Sequence, residues 1–288
     1  MNPSISILLP VYNGAATLVP AIRSLLSQDY ADFELLLLDD GSTDGGVEAA
    51  HGLSDARIRI VQDGNNRGLA ARLNQGIDLA KGRYFARMDQ DDLAMPNRLS
   101  RQLMFLESNP EVDLVSSRAI VFSATDKSII GMLPYRNGHM AITAQSWRGI
   151  HMAHPTWMGR APWFRRHRYW IPEVNLAEDQ ELLLRALPES RYHTLEDVLL
   201  AYRRGSFVLF KTLRARRSLL GAQARIFAQR RQWAYLLLAV LSTMLKVGVD
   251  AAAALPGCGF LFFARLRGTI PEGVAQRFSD LLVASGES

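Results

Sequence analysis

Three carboxylates, Asp89, Asp91 and Asp92, follow directly on the short apolar run Tyr84-Phe-Ala-Arg-Met88. Like charges a few Å apart raise one another's pKa and cost energy, and a bound divalent cation reverses that balance. Carboxylate oxygens are hard ligands, which suit magnesium or manganese better than zinc. A polar turn with Asp92 near a helix N-terminus accounts for the same residues without any ligand. A second acidic set, Asp39-Asp40-Gly41-Ser42-Thr43-Asp44, closes the apolar run Phe33–Leu38. A third pair, Glu178-Asp179, opens the segment through Leu182–Leu184 and Leu187, where first-turn acids are also favoured by the helix dipole. His151 and His154 lie in an apolar stretch without acidic residues.

The elements that must carry these groups alternate. Ile5–Tyr12, Phe33–Leu38, Ile58–Val61 and Tyr84–Met88 read as buried strands. Between them, Leu18, Ile22, Leu25 and Leu26, and then Leu69, Leu73, Ile77 and Leu79, recur at helical spacing. Such alternation indicates βαβ units and a mostly parallel sheet flanked by helices, an α/β fold. Ligands of these sheets bind beyond the carboxyl ends of the strands. Three strands end there in polar groups, at Pro10–Asn13, Asp39–Asp44 and Asp89–Asp92. A helix from Pro96 to Leu106, a strand at Asp113–Phe122 and apolar sequence at Leu195–Ala201 follow, while 125–148 is weakly patterned.

Taken in order, the motifs resemble those of the family 2 inverting glycosyltransferases, which have the GT-A fold. They are Pro10-Val-Tyr-Asn-Gly14, Asp39–Asp44, Asn66-Arg-Gly68 with Ala71–Gly76, Met88–Asp92, Pro96-Asn-Arg-Leu99, His154-Pro-Thr156 and Glu178-Asp179. The resemblance spans about residues 4–205 and divides the chain into a catalytic domain, 1–206, and a helical C-terminal region, 207–288. It implies a nucleotide-sugar donor whose nucleotide is held by Pro10, Tyr12, Asn13, Asp40, Arg67 and Asp89, with a lean towards UDP. It implies a divalent metal, manganese or magnesium, on Asp91. It makes Asp179 the general base that deprotonates the acceptor hydroxyl, with His154 and Glu178 on the acceptor side. One base is enough for an inverting transfer when a metal stabilises the departing diphosphate. Gln229–Trp233 departs from the Gln-x-x-Arg-Trp motif of processive members, because Gln232 precedes Trp233, so transfer of a single sugar is expected.

The chain has 288 residues, 48% hydrophobic and 21% charged, which excludes a disordered or integral-membrane composition. Its one cysteine, Cys258, excludes an intrachain disulfide framework and fits a reducing compartment. No secretory signal is expected from the N-terminus. Residues 1–197 carry 20 Lys/Arg and 24 Asp/Glu, net −4, whereas 198–288 carry 13 and 4, net +9. The span 207–233 reads as a basic amphipathic helix, and 234–264 as two apolar stretches broken by Lys246, Asp250 and Pro256, neither of spanning length. These features lead to a cytoplasmic protein, peripheral on the cytoplasmic face of the inner membrane through an anionic lipid surface. The acceptor is then a saccharide or lipid-linked saccharide of a surface polysaccharide. No nucleic-acid partner is expected, since the tail lacks interleaved aromatic platforms. A sugar-nucleotide nucleotidyltransferase would need a basic phosphate loop where Tyr12–Thr17 has none, and a non-catalytic sugar- or nucleotide-binding module would not need Asp91 and Asp179.

Overall fold

A computed structural model of the chain describes residues 2–171, 176–205, 208–258, 260–263, 266 and 268–287. Four strands form its N-terminal half: β1 (Ile5–Val11), β2 (Phe33–Asp39), β3 (Ile58–Val61) and β4 (Tyr84–Arg87). Helices α1 (Leu18–Leu26), α2 (Gly46–His51) and α3 (Leu69–Leu79) alternate with them. The strands pair in parallel in the order β3-β2-β1-β4. Every residue of β1 is buried, which is why it reads as a continuous apolar run instead of an alternation.

The second half is β5 (Leu93–Ala94), α4 (Arg98–Ser108), β6 (Leu114–Ser123), β7 (Ile129–Met132), α5 (His139–Thr143), β8 (Met158–Arg160), α6 (Ala161–Arg166), α7 (Glu178–Ala186) and β9 (Tyr192–Arg204). The same sheet continues β4-β8-β6-β9-β5, with β7 on β6. Here parallel pairing gives way to a mixture: β8 runs antiparallel to β4 and β6, and β5 antiparallel to β9, while β6 and β9 are parallel. The two-residue strand β5 follows Asp92, ahead of the helix expected from Pro96, which runs as α4. Asp92 therefore caps no helix; its Oδ1 accepts the Arg203 N–H at 2.9 Å and ties the acidic loop to β9.

The C-terminal region is α8 (Leu209–Gln229), α9 (Trp233–Ala253), the single turn α10 (Phe260–Phe263) and α11 (Val274–Ser285). The expected break near Lys246 is absent, because α9 runs through as one 21-residue helix. Its polar residues are taken up by neighbours. Lys246 Nζ donates to the Arg148 carbonyl at 2.6 Å, and Asp250 is paired with Arg216 of α8. What α9 leaves exposed is apolar: Leu237, Leu238, Leu241, Met244 and Leu245, at spacings of three and four along one stripe. Among the described residues, α9 alone is long and apolar enough to cross a bilayer, with a mean hydropathy of 1.7. The last helix, α11, returns to the sheet, where Val274, Phe278 and Leu281 share a core with Leu93, Ile120 and Phe122.

Candidate active site

The carboxyl ends of β1, β2 and β4 bring the first three motifs together. Val11 and Asp39 are register partners, and the Asp40 N–H donates to the Val11 carbonyl at 2.8 Å. The loops beyond are stitched by side chains. Thr43 N–H donates to Asn13 Oδ1 at 2.9 Å, and Asn13 N–H to Ser42 Oγ at 3.1 Å. Gln90 binds Tyr12 at both backbone groups, accepting its N–H at 2.7 Å and donating to its carbonyl at 3.0 Å. The acidic loop and the Tyr12 loop are thus one rim, and the Tyr12 ring stands half exposed on it. Gly41 makes the close turn at φ +79°, where a Cβ would lie 3.1 Å from the Asn65 backbone carbon.

Asp40 lies beneath this rim. Its carboxylate accepts N–H groups from Arg67 at 2.7 Å and Gly68 at 3.0 Å, and pairs with the fully buried Arg72 at 3.0 Å. The Arg67 side chain turns outward to Asp63, 2.8 Å away. Pro10 is buried at the end of β1.

A cavity of about 310 Å³ collects the remaining predicted groups: Asp89, His154, Glu178 and Asp179 line it, with Arg87 and Tyr202. Asp91 opens onto a neighbouring cavity of about 600 Å³. Tyr202 and Arg204 belong to both walls. Pro10, Tyr12, Asn13, Asp40 and Arg67 line neither of these two cavities.

The acidic loop has resident counter-charges that the carboxylate spacing did not reveal. Arg87, 3% exposed, grips Asp89 with both terminal nitrogens, Nη1 to Oδ2 at 2.8 Å and Nη2 to Oδ1. Arg203 donates Nε to the Asp91 carbonyl at 2.7 Å and pairs through Nη2 with Glu287. Arg98, fully buried, donates to the Arg87 carbonyl at 2.6 Å, and burial lowers its pKa to about 9. These cations leave Asp91 and Asp92 incompletely served. Burial, then the Asp89 charge, raises the Asp91 pKa, and the same causes hold Asp92 well above the carboxylate range. Asp92 Oδ2 is buried with no hydrogen-bond partner. Carboxylate oxygens of Asp89, Asp91 and Asp92 all lie within 4.8 Å of one another. An orphaned buried oxygen in a cluster of hard donors fits a divalent cation, with Asp91 and Asp92 the groups that remain to hold it.

On the facing side, α7 begins at Glu178, so both acids sit in its first turn. Burial and then the Asp179 charge raise Glu178 to about 7. Burial raises Asp179 as well, against the N–H that Gln180 Nε2 donates to it at 3.1 Å. Gln180 is itself braced against the Ile150 backbone, accepting at 2.8 Å and donating at 3.1 Å. His154 lines the cavity but is packed like a core residue. Its Nε2 hydrogen-bonds Tyr169 Oη at 2.7 Å, its ring meets Trp157 edge-on, and burial holds its pKa well below normal, leaving a neutral imidazole. The arrangement puts the Glu178-Asp179 pair and Asp89 on one cavity and Asp91 on the next.

Residues 6–168 match the family model described as glycosyl transferase family 2. The putative glycosyltransferase EpsE of Bacillus subtilis is 36% identical over 215 residues, covering 71% of this chain and 74% of that one. The Streptococcus pneumoniae glycosyltransferase GlyG is 38% identical over 101 residues, covering 34% of each chain. Among solved structures, S. aureus TarS 1–349 aligns over 100% of this chain and 91% of its own, with TM-score 0.62 and 16% identity. The mannosyltransferase PcManGT from Pyrobaculum calidifontis, solved with GDP-Man and Mn2+, aligns over 100% of this chain and 87% of its own, with TM-score 0.59 and 20% identity. At those identities the two structures share the fold with this chain.

Proposed function

The chain belongs to glycosyl transferase family 2 and is a glycosyltransferase; on that premise we propose that it moves one sugar, with inversion, from a nucleotide-sugar donor to an acceptor hydroxyl. The observation that carries this reading is the shared cavity, lined by Asp89 with its buried partner Arg87 and by Glu178 and Asp179. The nucleotide lies along the rim of Tyr12, Asn13 and the Asp40 loop, and UDP is the donor nucleotide we favour. A TarS structure in complex with UDP-GlcNAc and the PcManGT structure with GDP-Man are relatives in fold that hold nucleotide sugars.

Asp179 takes the acceptor proton as the hydroxyl oxygen attacks the anomeric carbon, and the bond from that carbon to the diphosphate oxygen breaks on the opposite face. A positioned base of this kind contributes typically ~10²–10⁴-fold. Burial, which raises Asp179, makes it a stronger base than an exposed carboxylate. Glu178 holds a proton near neutral pH and so limits the negative charge beside Asp179. Arg87 orients Asp89 and keeps the neighbouring carboxylates from repelling one another. Asp91 and Asp92 would hold a divalent metal, manganese or magnesium, which when bound would supply Lewis-acid stabilisation of the leaving diphosphate.

The acceptor we favour is a saccharide or lipid-linked saccharide of a surface polysaccharide. The exposed apolar stripe of α9 beside the basic residues of α8 supports peripheral attachment to an anionic membrane face.

A thermal-shift panel of UDP-, GDP- and dTDP-sugars, each with and without manganese, tests the donor reading. A ligand at about a hundred times its Kd stabilises by about 2.7 kcal/mol, or roughly 5 °C or more for a chain of this size. One nucleotide class should produce that shift only with metal. No shift from any nucleotide sugar in the presence of metal contradicts the proposal.

A further inference from the structure

The end of α11 is joined to the acidic loop through one arginine. The helix closes on a glycine cap. Gly286 takes φ +78°, its N–H donates to the Val283 carbonyl at 3.1 Å, and the Glu287 N–H donates to the Leu282 carbonyl at 2.9 Å. That pair of bonds is the Schellman arrangement, in which a left-handed residue turns the chain sharply off the helix. The Glu287 side chain is thereby carried inward and is only 5% exposed. It pairs there with Nη2 of Arg203, itself 6% exposed, and with Lys127 Nζ at 3.2 Å. A guanidinium so enclosed needs a counter-charge, and Glu287 supplies it.

Arg203 in turn holds two consecutive residues of the loop. Its backbone N–H donates to Asp92 Oδ1 at 2.9 Å, and its Nε donates to the Asp91 carbonyl at 2.7 Å. Asp92 Oδ2 is left without a hydrogen-bond partner. The guanidinium also lies over the Phe122 ring, 4.8 Å from its centroid, and Phe122 packs on Phe278 of α11 with centroids 5.0 Å apart. The helix therefore supports Arg203 twice, by a charge at the tip and by a ring stacked below. A long side chain has many rotamers, and anchoring its far end leaves Nε a single direction in which to donate.

We propose that Glu287 is a positioning residue of the transfer site: by fixing Arg203 it sets the arrangement of Asp91 and Asp92, and α11 is thereby a working part of the site. The inference rests on the reading of Asp91 and Asp92 as the pair that would hold the cation. Partners that orient metal-holding groups from behind typically change metal affinity by ~10–100-fold when removed.

The test compares the full chain with Glu287→Gln, which keeps the size of the side chain and removes its charge. Lys127→Met serves as the control, since it removes the other neighbour of Glu287 and leaves Arg203 paired. Free manganese is counted by electron paramagnetic resonance as each protein is titrated without nucleotide. Glu287→Gln should bind manganese about tenfold more weakly, and Lys127→Met should stay within about twofold of wild type. Amide hydrogen exchange without metal gives the positional readout. In Glu287→Gln the amides of 88–95 should exchange at least about threefold faster, while those of β2 keep their wild-type rates. Equal manganese affinity in wild type and Glu287→Gln overturns the proposal, and so does unchanged exchange at 88–95. Faster exchange spread evenly over β2, α11 and the loop makes Glu287 a stabiliser of the fold alone and also overturns it. A loss of manganese affinity in Lys127→Met as large as that in Glu287→Gln does the same. Wild type that binds no manganese counts against the metal reading, and exchange at 88–95 then decides by itself whether Glu287 holds the loop.

Discussion

Replacing Arg87 with Met removes the cation at the centre of the site. Five carboxylates surround or face it, and its charge pulls down the pKa of Asp91, Asp92, Glu178 and Asp179. The Arg87 side chain is 3% exposed and that of Asp89 is 30% exposed. Two unit charges about 4 Å apart attract by about 4 kcal/mol at an effective dielectric of about 20. Truncating one partner of a buried pair costs about 3–5 kcal/mol, because the other charge is left uncompensated. Water reaches Asp89 in part, which places the loss at the lower end, about 3 kcal/mol, or a fall in Tm of roughly 6–12 °C. The same change should move the acidic limb of the kcat/KM profile to higher pH, since the cation that favours ionised Asp179 and Glu178 is gone. Arg87→Lys keeps the charge and loses the two-pronged grip, so it should recover the pH profile more fully than the Tm. The assay is thermal unfolding alongside donor turnover from pH 5 to pH 9. A loss of less than about 2 °C with an unmoved acidic limb in Arg87→Met would refute this account of the site's electrostatics.

Further outcomes follow from other groups. Glu178 titrates near 7 in the folded chain, above its ordinary value of 4.5, so between those two pH values the folded state keeps a proton that the unfolded chain has lost. Its contribution to stability is therefore present below pH 4.5 and declines as pH rises to 7. Glu178→Gln has no proton to lose, so its Tm relative to wild type should rise across that window and level off above it; a constant difference from pH 4.5 to 7.5 would count against the assignment. The double change Leu241→Asp with Leu245→Asp falls on the exposed stripe of α9. It should release the protein from anionic vesicles while leaving Tm within a few degrees. Vesicle binding equal to wild type would rule out α9 as the contact surface.

The sheet that carries the candidate site was legible in the sequence. The apolar runs Ile5–Val11 and Phe33–Leu38 announced buried parallel strands, and their polar termini meet at one edge of the sheet. Arg87 carried a readable signal that the carboxylates drowned out: an arginine inside a buried run two residues before Asp89 needs a partner close by. Arg203 and Glu287 lie 84 residues apart, so their pairing depends on the return of α11 to the sheet, which no local pattern encodes. The short strands β5 and β8 escaped for a related reason, since two or three residues cannot show a period and are held by neighbours remote in sequence. In α9, Lys246 and Asp250 looked like breaks because sequence alone did not supply the Arg148 carbonyl and Arg216 that receive them.

The central claim is that Asp179 accepts the acceptor proton while the donor is held elsewhere. Asp179→Asn separates the two, since it keeps the shape and the Gln180 contact and abolishes the base. Calorimetric donor binding with manganese should stay within about threefold of wild type, while kcat for sugar transfer falls by ~10²–10⁴. Transfer by Asp179→Asn at close to the wild-type rate, with donor binding intact, would contradict the mechanism at its core.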